Sequence, residues 1–336
     1  MWVSNINGYP LHDMYFRRSD GSIYEGYYKI MQGYQSLGQG ALYPFAKYGF
    51  RLKQDLAALL AQGLFGGNYS RIKGLQLSNE LPSDSRTIVS LNEEGYGENT
   101  IAGYIDDDGE TVNIWSAGDI YMPEHSGYHM FGDLMYIDDD DINNIFPHLI
   151  HHSYEDHNYN YFAQSTQIRN PYYLSNLKVN SARQMFDSCS NLSDISVCST
   201  WDVSDCEDCR RMFYGCRSLV YADLGAWNFK PQNSSAINIM FGNCRNLLRL
   251  DMSGWDLSEM TGQIYPIFSS YYPQTIIAPK VIGTGNIQIG RGFPTASSYV
   301  AYRVSGDPTL ELHTSLDRVP PLSTLIRYTH NDLINE

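Results

Sequence analysis

Charged residues are scarce in this chain of 336 residues, since Asp, Glu, Lys and Arg together make up only 18% of it. The acids outnumber the bases by 37 to 23, which leaves a formal net charge of −14 at pH 7. Nucleic acid and anionic membrane surfaces would repel such a protein, so we expect neither as a partner. Hydrophobic residues still reach 43% of the chain, which predicts a folded protein with a buried core.

Long apolar runs and targeting signals are also missing. The most apolar stretch, Leu56–Phe65, is far shorter than the roughly 20 residues that cross a bilayer. Residues 1–8 lack the basic residues and the apolar run of a secretory signal, and the end of the chain at Glu336 shows no anchoring pattern. We therefore expect no membrane insertion and no export by the usual route.

Sequence motifs of the common enzyme classes are absent as well. The chain contains no Gly-x-Ser-x-Gly elbow, no glycine-rich phosphate loop and no dinucleotide-binding fingerprint. Acidic residues could supply a carboxylate pair for glycoside hydrolysis, but no motif selects two of them. We expect a protein that is not an enzyme and needs no cofactor, with a glycan-processing enzyme as an alternative.

Two polar clusters are candidate metal sites. His148, His152 and Glu155 would share one face of a helix, although the His-Glu-x-x-His order of metalloproteases is missing. Asp106 and Asp108 belong to an acidic run that could bind calcium, although it does not follow the ligand order of an EF-hand. A solvated loop and a solvated turn are the ordinary interpretations of these clusters.

All six cysteines fall within residues 189–244. Cys206 and Cys209 form a Cys-x-x-Cys pair that, with Cys198, could bind zinc or act in redox chemistry, but three thiolates do not complete a structural zinc site. Nothing in the sequence indicates an oxidising compartment, so we expect free thiols.

The first half of the chain has a mixed pattern. Apolar spacing predicts a helix over residues 50–64 that ends at Gly66-Gly67, and residues 101–115 predict a hairpin that turns at Asp108-Gly109. Short strands with a turn at Asp20-Gly21 are expected within residues 1–50. We assign residues 1–165 to a mixed α/β N-terminal domain that serves in docking or assembly.

An internal repeat dominates the second half. Three segments share the pattern Met-Phe-x-x-Cys-x-x-Leu, 27 and then 28 residues apart, with a tryptophan after each, and a degenerate copy follows at residues 266–271. One such unit cannot bury its own apolar residues, so neighbouring units must stack. The predicted core is Met185, Phe186, Cys189, Leu192, Trp201, Met212, Phe213, Cys216, Leu219, Trp227, Met240, Phe241, Cys244, Leu247 and Trp255.

This pattern, over residues 172–280, resembles the BspA-like leucine-rich repeats, which occur in bacterial surface and adhesion proteins and in phage proteins. The resemblance implies a solenoid of three to four coils over residues 166–285, followed by a small C-terminal β segment at 286–336. The expected fold class is therefore α+β, with a strand-rich mixed N-terminal domain before the solenoid.

The resemblance also implies a protein that works by contact. We expect a structural virion protein of a tailed bacteriophage, in the tail, baseplate, fibre or head decoration, assembled in the cytoplasm of the bacterial host. Its expected partners are other virion proteins or further copies of itself in a symmetric assembly, and a host-surface protein or glycan. A bacterial cell-surface adhesin is the alternative.

Overall fold

The computed structural model of the chain describes residues 5–6, 9–10, 50–53, 55–92, 100–117, 120–121, 130–150, 162–260, 265–283, 287–291, 299–309, 311–329 and 331–332. Contacts between residues divide the chain into two units. The first comprises residues 1–124 and 143–152, and the second comprises residues 125–142 and 153–336.

Short strands and one helix make up the first unit. In chain order its elements are β1 (Asn5–Ile6), β2 (Tyr9–Pro10), β3 (Phe50–Arg51), α1 (Leu56–Phe65), β4 (Gly74–Ser78), β5 (Ile88–Ser90), β6 (Ile101–Ile105), β7 (Thr111–Ser116) and β8 (Ile120–Tyr121). The helix α2 (Asp139–Ile145) and the strand β9 (Leu149–Ile150) come later in the chain. The main sheet of the first unit has the order β4-β7-β6-β5, and only its β4–β7 pair is parallel.

The predicted hairpin of the first unit is confirmed, and the predicted helix is confirmed over Leu56–Phe65. Its predicted start at residue 50 is wrong, because Phe50–Arg51 form strand β3. Leu56, Leu60 and Ala61 form the buried stripe of α1, and Gly66 ends the helix in a left-handed conformation with φ of 60°. Strands β6 and β7 pair antiparallel across the predicted turn, where Gly109 has φ of 75°. The turn predicted at Asp20-Gly21 lies outside the described residues.

A five-stranded mixed sheet is the largest sheet of the second unit. The strands of the second unit in chain order are β10 (Tyr221–Asp223), β11 (Arg249–Asp251), β12 (Tyr265–Pro266), β13 (Thr275–Ile277), β14 (Ile287–Gln288), β15 (Val300–Val304) and β16 (Thr324–Thr329). Strands β12 and β14 form a separate parallel pair outside the large sheet. The large sheet has the order β10-β11-β13-β16-β15. Strands β10, β11 and β13 are parallel, and β16 runs antiparallel to both of its neighbours.

The expected fold class, α+β with a leucine-rich-repeat solenoid of three to four coils, is wrong. The described residues form mainly β structure in mixed sheets with two short helices, and no solenoid of regular coils is seen among them. The segments that lead into the first two Met-Phe repeats pair with each other as β structure only through isolated bridges, at Lys178↔Asp202 and Ser181↔Asp208. The physical reason lies at the edge of β13, where unpaired backbone groups would remain, and β16 satisfies them by pairing there.

A column of phenylalanine rings runs through the core of the second unit. Neighbouring ring centroids lie 5.3 to 6.4 Å apart, and the rings are mostly parallel. The rings belong to Phe131, Phe162, Phe186, Phe213, Phe241 and Phe268, all of which are fully buried. A second column is formed by Trp201, Trp227 and Trp255, with centroids 6.4 and 6.2 Å apart. These columns hold consecutive repeats in register.

In the part of the chain that the structure describes, no helix combines the length and the apolar character needed to cross a bilayer.

Candidate interaction surface

Backbone hydrogen bonds join each repeat to the next in the same way. The N–H of Phe186 donates to the carbonyl of Met212 at 2.9 Å, and the N–H of Phe213 donates to that of Met240 at 3.0 Å. The N–H two residues after each of these phenylalanines donates to the next repeat in the same way; that of Gly215, for example, donates to the carbonyl of Gly242 at 2.8 Å. The phenylalanine column is therefore accompanied by a continuous ladder that fixes the repeats laterally.

Left-handed backbone conformations mark a corner in each repeat. Positive φ angles recur two residues after a column phenylalanine, at Asp133, Gln164, Ser188, Gly215 and Asn243. They also occur two residues before one, at Gln184, Arg211 and Ile239. Glycine and asparagine adopt this region readily, whereas the β-branched Ile239 with φ of 44° does so under strain. The alternating corners set the direction in which exposed side chains leave the core.

The repeat cysteines are hydrogen-bond donors within the core. The thiols of Cys189, Cys216 and Cys244 approach the carbonyls of Phe162, Phe186 and Phe213 at 2.9, 3.2 and 2.9 Å, one repeat earlier in each case. Burial raises the pKa of all three thiols, that of Cys244 to about 12. At neutral pH they are protonated donors that join repeats.

The remaining cysteines are buried and free as well. The sulfurs of Cys206 and Cys209 lie 3.1 Å apart as a thiol hydrogen bond, which raises the pKa of Cys209 well above its usual value. Burial raises the pKa of Cys198 in the same direction. Among the described residues there is no group of three or more His, Cys, Asp or Glu side chains suited to a metal ion.

The predicted polar sites are not brought together. His148 is exposed in a one-turn 3₁₀ helix, Phe146–His148, whereas His152 and Glu155 lie outside the described residues. Asp106 accepts a hydrogen bond from the Gln76 side chain at 3.0 Å. The Asp108 carboxylate accepts from the Thr111 hydroxyl at 2.6 Å and from the N–H groups of Thr111 and Glu110 at 2.8 Å, and these hydrogen bonds lower the Asp108 pKa and hold the tip of the β6–β7 hairpin. The described part of the acidic run serves as turn structure.

Charged side chains pair both between repeats and within one repeat on one side of the stack. Arg211 donates to the buried carboxylate of Asp187 at 2.8 Å, and its guanidinium lies 3.8 Å from the centre of the Tyr214 ring. Arg210 donates to Asp208 through two nitrogens, Nε at 2.9 Å and Nη2 at 2.6 Å. These buried carboxylates need their arginines, because an unpaired charge at such positions is costly.

A polar pocket of about 450 Å³ lies next to the Arg210–Asp208 pair. Its lining consists of Ser181, Glu207, Asp208, Arg210, Gln232, Asn233, Ser235 and Ala236. No aromatic side chain is part of that lining, so the pocket offers hydrogen bonds without a stacking platform.

The exposed face of the large sheet carries apolar side chains in addition to ions. In this sheet Tyr221 is level with Arg249, Arg249 with Thr275 and Thr275 with Ile326. Tyr221 is 60% exposed and Ile326 is 42% exposed, while Arg249 pairs with Asp251 at 2.8 Å. We call this row of side chains across four strands the sheet face.

Sequence reasoning missed the two earliest members of the column. Phe131 and Phe162 were assigned to the N-terminal domain, yet each stacks on its neighbour like the later phenylalanines. Buried apolar residues three and six positions after Phe131, Leu134 and Ile137, follow the spacing of the Cys and Leu positions. A search that allowed any apolar residue at the cysteine position would have found this copy.

Comparison with known proteins yields one family. A family model described as "Mycoplasma protein of unknown function, DUF285" matches residues 158–272. No curated protein and no solved structure matches the chain. The matched segment is about a third of the chain and contains five of the six column phenylalanines, so the similarity concerns the repeats.

Proposed function

We propose that this protein works by contact rather than by turnover, as a structural protein whose stacked repeats hold an exposed binding face in a fixed shape. The observation that carries the proposal is the sheet face, where Tyr221, Arg249 and Ile326 are placed level by backbone pairing. Exposed aromatic and arginine side chains on a rigid support are typical of protein-binding surfaces.

The core chemistry supports the same proposal. The cysteines, the residue type best suited to nucleophilic chemistry in this segment, are buried with raised pKa values and serve as donors between repeats. A buried neutral thiol is a poor nucleophile, because the thiolate is the reactive form. Their arrangement suits stability of the stack.

The setting that we propose is the virion of a tailed bacteriophage, in which the protein contacts neighbouring subunits or the host surface. The support for this setting is the resemblance of the repeats to BspA-like sequences. The acidic, ion-poor composition suits polar interfaces between subunits.

Mass spectrometry tests the setting. Purified virions and surface-shaved cells from the same culture are digested and searched for peptides of this chain. We expect the peptides in virions at a constant ratio to a known structural protein of the particle. Peptides released from intact cells and absent from virions would overturn the phage setting in favour of the adhesin.

A further inference from the structure

Corresponding positions of different repeats lie on the same side of the stack, so the column phenylalanines provide a common reference. Met135 lies four residues after Phe131, as Arg245 lies four residues after Phe241. Asp138 lies seven residues after Phe131, as Leu248 lies seven after Phe241. Side chains at these offsets from opposite ends of the column therefore share one side, next to the sheet face.

The C-terminal end of this side carries exposed arginines and apolar side chains, beside the exposed Asp223, whose carboxylate lies 4.0 Å from Arg249. Leu248 is 39% exposed beside Tyr221, and the arginines at the offset of four residues, Arg217 and Arg245, are both exposed. Neither arginine forms an ion pair with the residues that the structure describes. We call Arg217, Tyr221, Arg245, Leu248 and Ile326 the basic patch.

The N-terminal end of the same side is mainly acidic and apolar, with an exposed cation, Arg169, whose backbone N–H donates to Asp139. Met135 is 42% exposed and Tyr172 is 45% exposed, and the carboxylates of Asp138 and Asp140 are exposed between them. The Tyr172 hydroxyl donates to Asp140 at 3.3 Å, and Thr166 donates to the Met135 carbonyl at 3.1 Å, so the group is held together. We call Met135, Asp138, Asp140 and Tyr172 the acidic patch.

We propose that two copies of this chain associate through this side about a twofold axis, with the acidic patch of each copy on the basic patch of the other. An antiparallel arrangement of two such faces brings opposite charges together twice, whereas a parallel arrangement would place like charges together. Symmetric dimers of this kind are the commonest oligomers, because one complementary pair of patches is used twice. The exposed apolar side chains in both patches supply area to bury.

A second copy is favoured over an unrelated partner because the chain carries both halves of the complementary surface. The chain has a net charge of −14, so a cluster of arginines on one face is unusual for it and needs a counterpart of opposite charge. The inference rests on the proposed contact function, since it names the partner of the same surface.

Sedimentation equilibrium of the full chain and its charge-reversal variants tests this association. Arg245→Glu and Asp140→Lys should each weaken dimerisation about tenfold or more, because each places like charges together at both contacts. The double variant should recover most of the wild-type affinity, since the reversed pair attracts again. Arg183→Glu is the matched control, because Arg183 is exposed three residues before Phe186, away from this side, and should leave the affinity unchanged.

Raising the salt concentration from about 0.05 M to about 0.5 M should also weaken the wild-type dimer, because exposed charges are screened. A wild-type protein that stays monomeric, or a dimer that neither reversal affects, would overturn the twofold association. A monomeric protein whose peptides are still found in virions would leave the proposed contact function intact, so the two failures are distinguishable.

Discussion

Each repeat cysteine combines a small apolar volume with a donor at a place where a carbonyl of the previous repeat faces the core. The Cys216 thiol and the Phe186 carbonyl, 3.2 Å apart, are an example of a contact that links two repeats through side chain and backbone. Leu134 occupies the same offset after Phe131 and supplies volume without a donor. An apolar side chain is therefore buried at this position whether or not it is a donor, and the thiol hydrogen bond of the cysteines adds a link between repeats.

Alkaline pH should destabilise the protein through these thiols. The folded pKa values of Cys189, Cys216 and Cys244 are raised, so the folded chain keeps protons that the unfolded chain releases above its ordinary thiol pKa of about 8.5. The free energy of unfolding should therefore fall as pH rises from about 8.5, by up to about 1.4 kcal/mol per pH unit for each such thiol. Urea unfolding at several pH values measures this.

Alkylation provides the companion measurement. In native protein at pH 8 these three cysteines should resist iodoacetamide and react fully in denaturant, since the buried thiols are inaccessible and protonated. Rapid modification of all three in the native state would show that they are not buried in the core.

Substitutions in the middle of the phenylalanine column should lower the free energy of unfolding most. Phe213 stacks on Phe186 at 5.8 Å and on Phe241 at 5.3 Å and is completely buried. Phe213→Ala should lower the free energy of unfolding by about 3 to 5 kcal/mol, because burial is lost and a cavity remains. Phe213→Leu should cost less, and an unfolding midpoint equal to that of the wild type for the alanine variant would contradict the stacking.

The corners between elements depend on residues that tolerate a left-handed backbone. Gly215 has φ of 73°, and a Cβ atom at this position would lie 3.3 Å from the Cα of Ser188. Gly215→Ala should therefore cost about 1 to 2 kcal/mol of unfolding free energy. Gly215→Asn should cost less, since asparagine adopts this conformation at the corresponding Asn243. Equal losses in thermal unfolding would argue against backbone strain as the cause.

The helix α1 and the β6–β7 hairpin could be predicted because the residues that determine them are close together in the sequence. The stripe of Leu56 and Leu60 with Gly66 gave the helix α1, and Asp108-Gly109 gave the hairpin, because each signal lies within a few residues of its effect. The spacing of the repeats likewise predicted which side chains share a common core. Burial of Phe186, Phe213 and Phe241 in one column agrees with that spacing.

Long-range pairing did not follow from the sequence. Strand β16 joins β13 although about 50 residues separate them, and no local pattern encodes that partner. The sheet face was missed for the same reason, since Ile326 reaches Thr275 only through this pairing. Phe131 and Phe162 were missed because their repeats carry Leu134 and Ser165 where the three clearest repeats carry cysteine.

Across the second unit, one rigid arrangement links the core to the surface. The columns fix the repeats, the backbone ladder fixes their lateral register, and the exposed side chains of β10, β11 and β16 are thereby held level. A partner that binds this face loses little entropy in ordering it, because the side chains stand on a preformed sheet. This preorganisation is the physical basis of the proposed contact function.

Incorporation of a surface variant into virions tests the contact function most directly. Tyr221→Ala combined with Ile326→Ala removes the two most exposed apolar side chains of the sheet face while leaving the buried columns unchanged. The variant should unfold at nearly the same temperature as the wild type, since surface substitutions have small effects on stability. Its ratio to a known structural protein in purified virions should fall at least about tenfold, as expected when central aromatic contacts are lost. A stable variant that enters virions at the wild-type ratio would contradict the account.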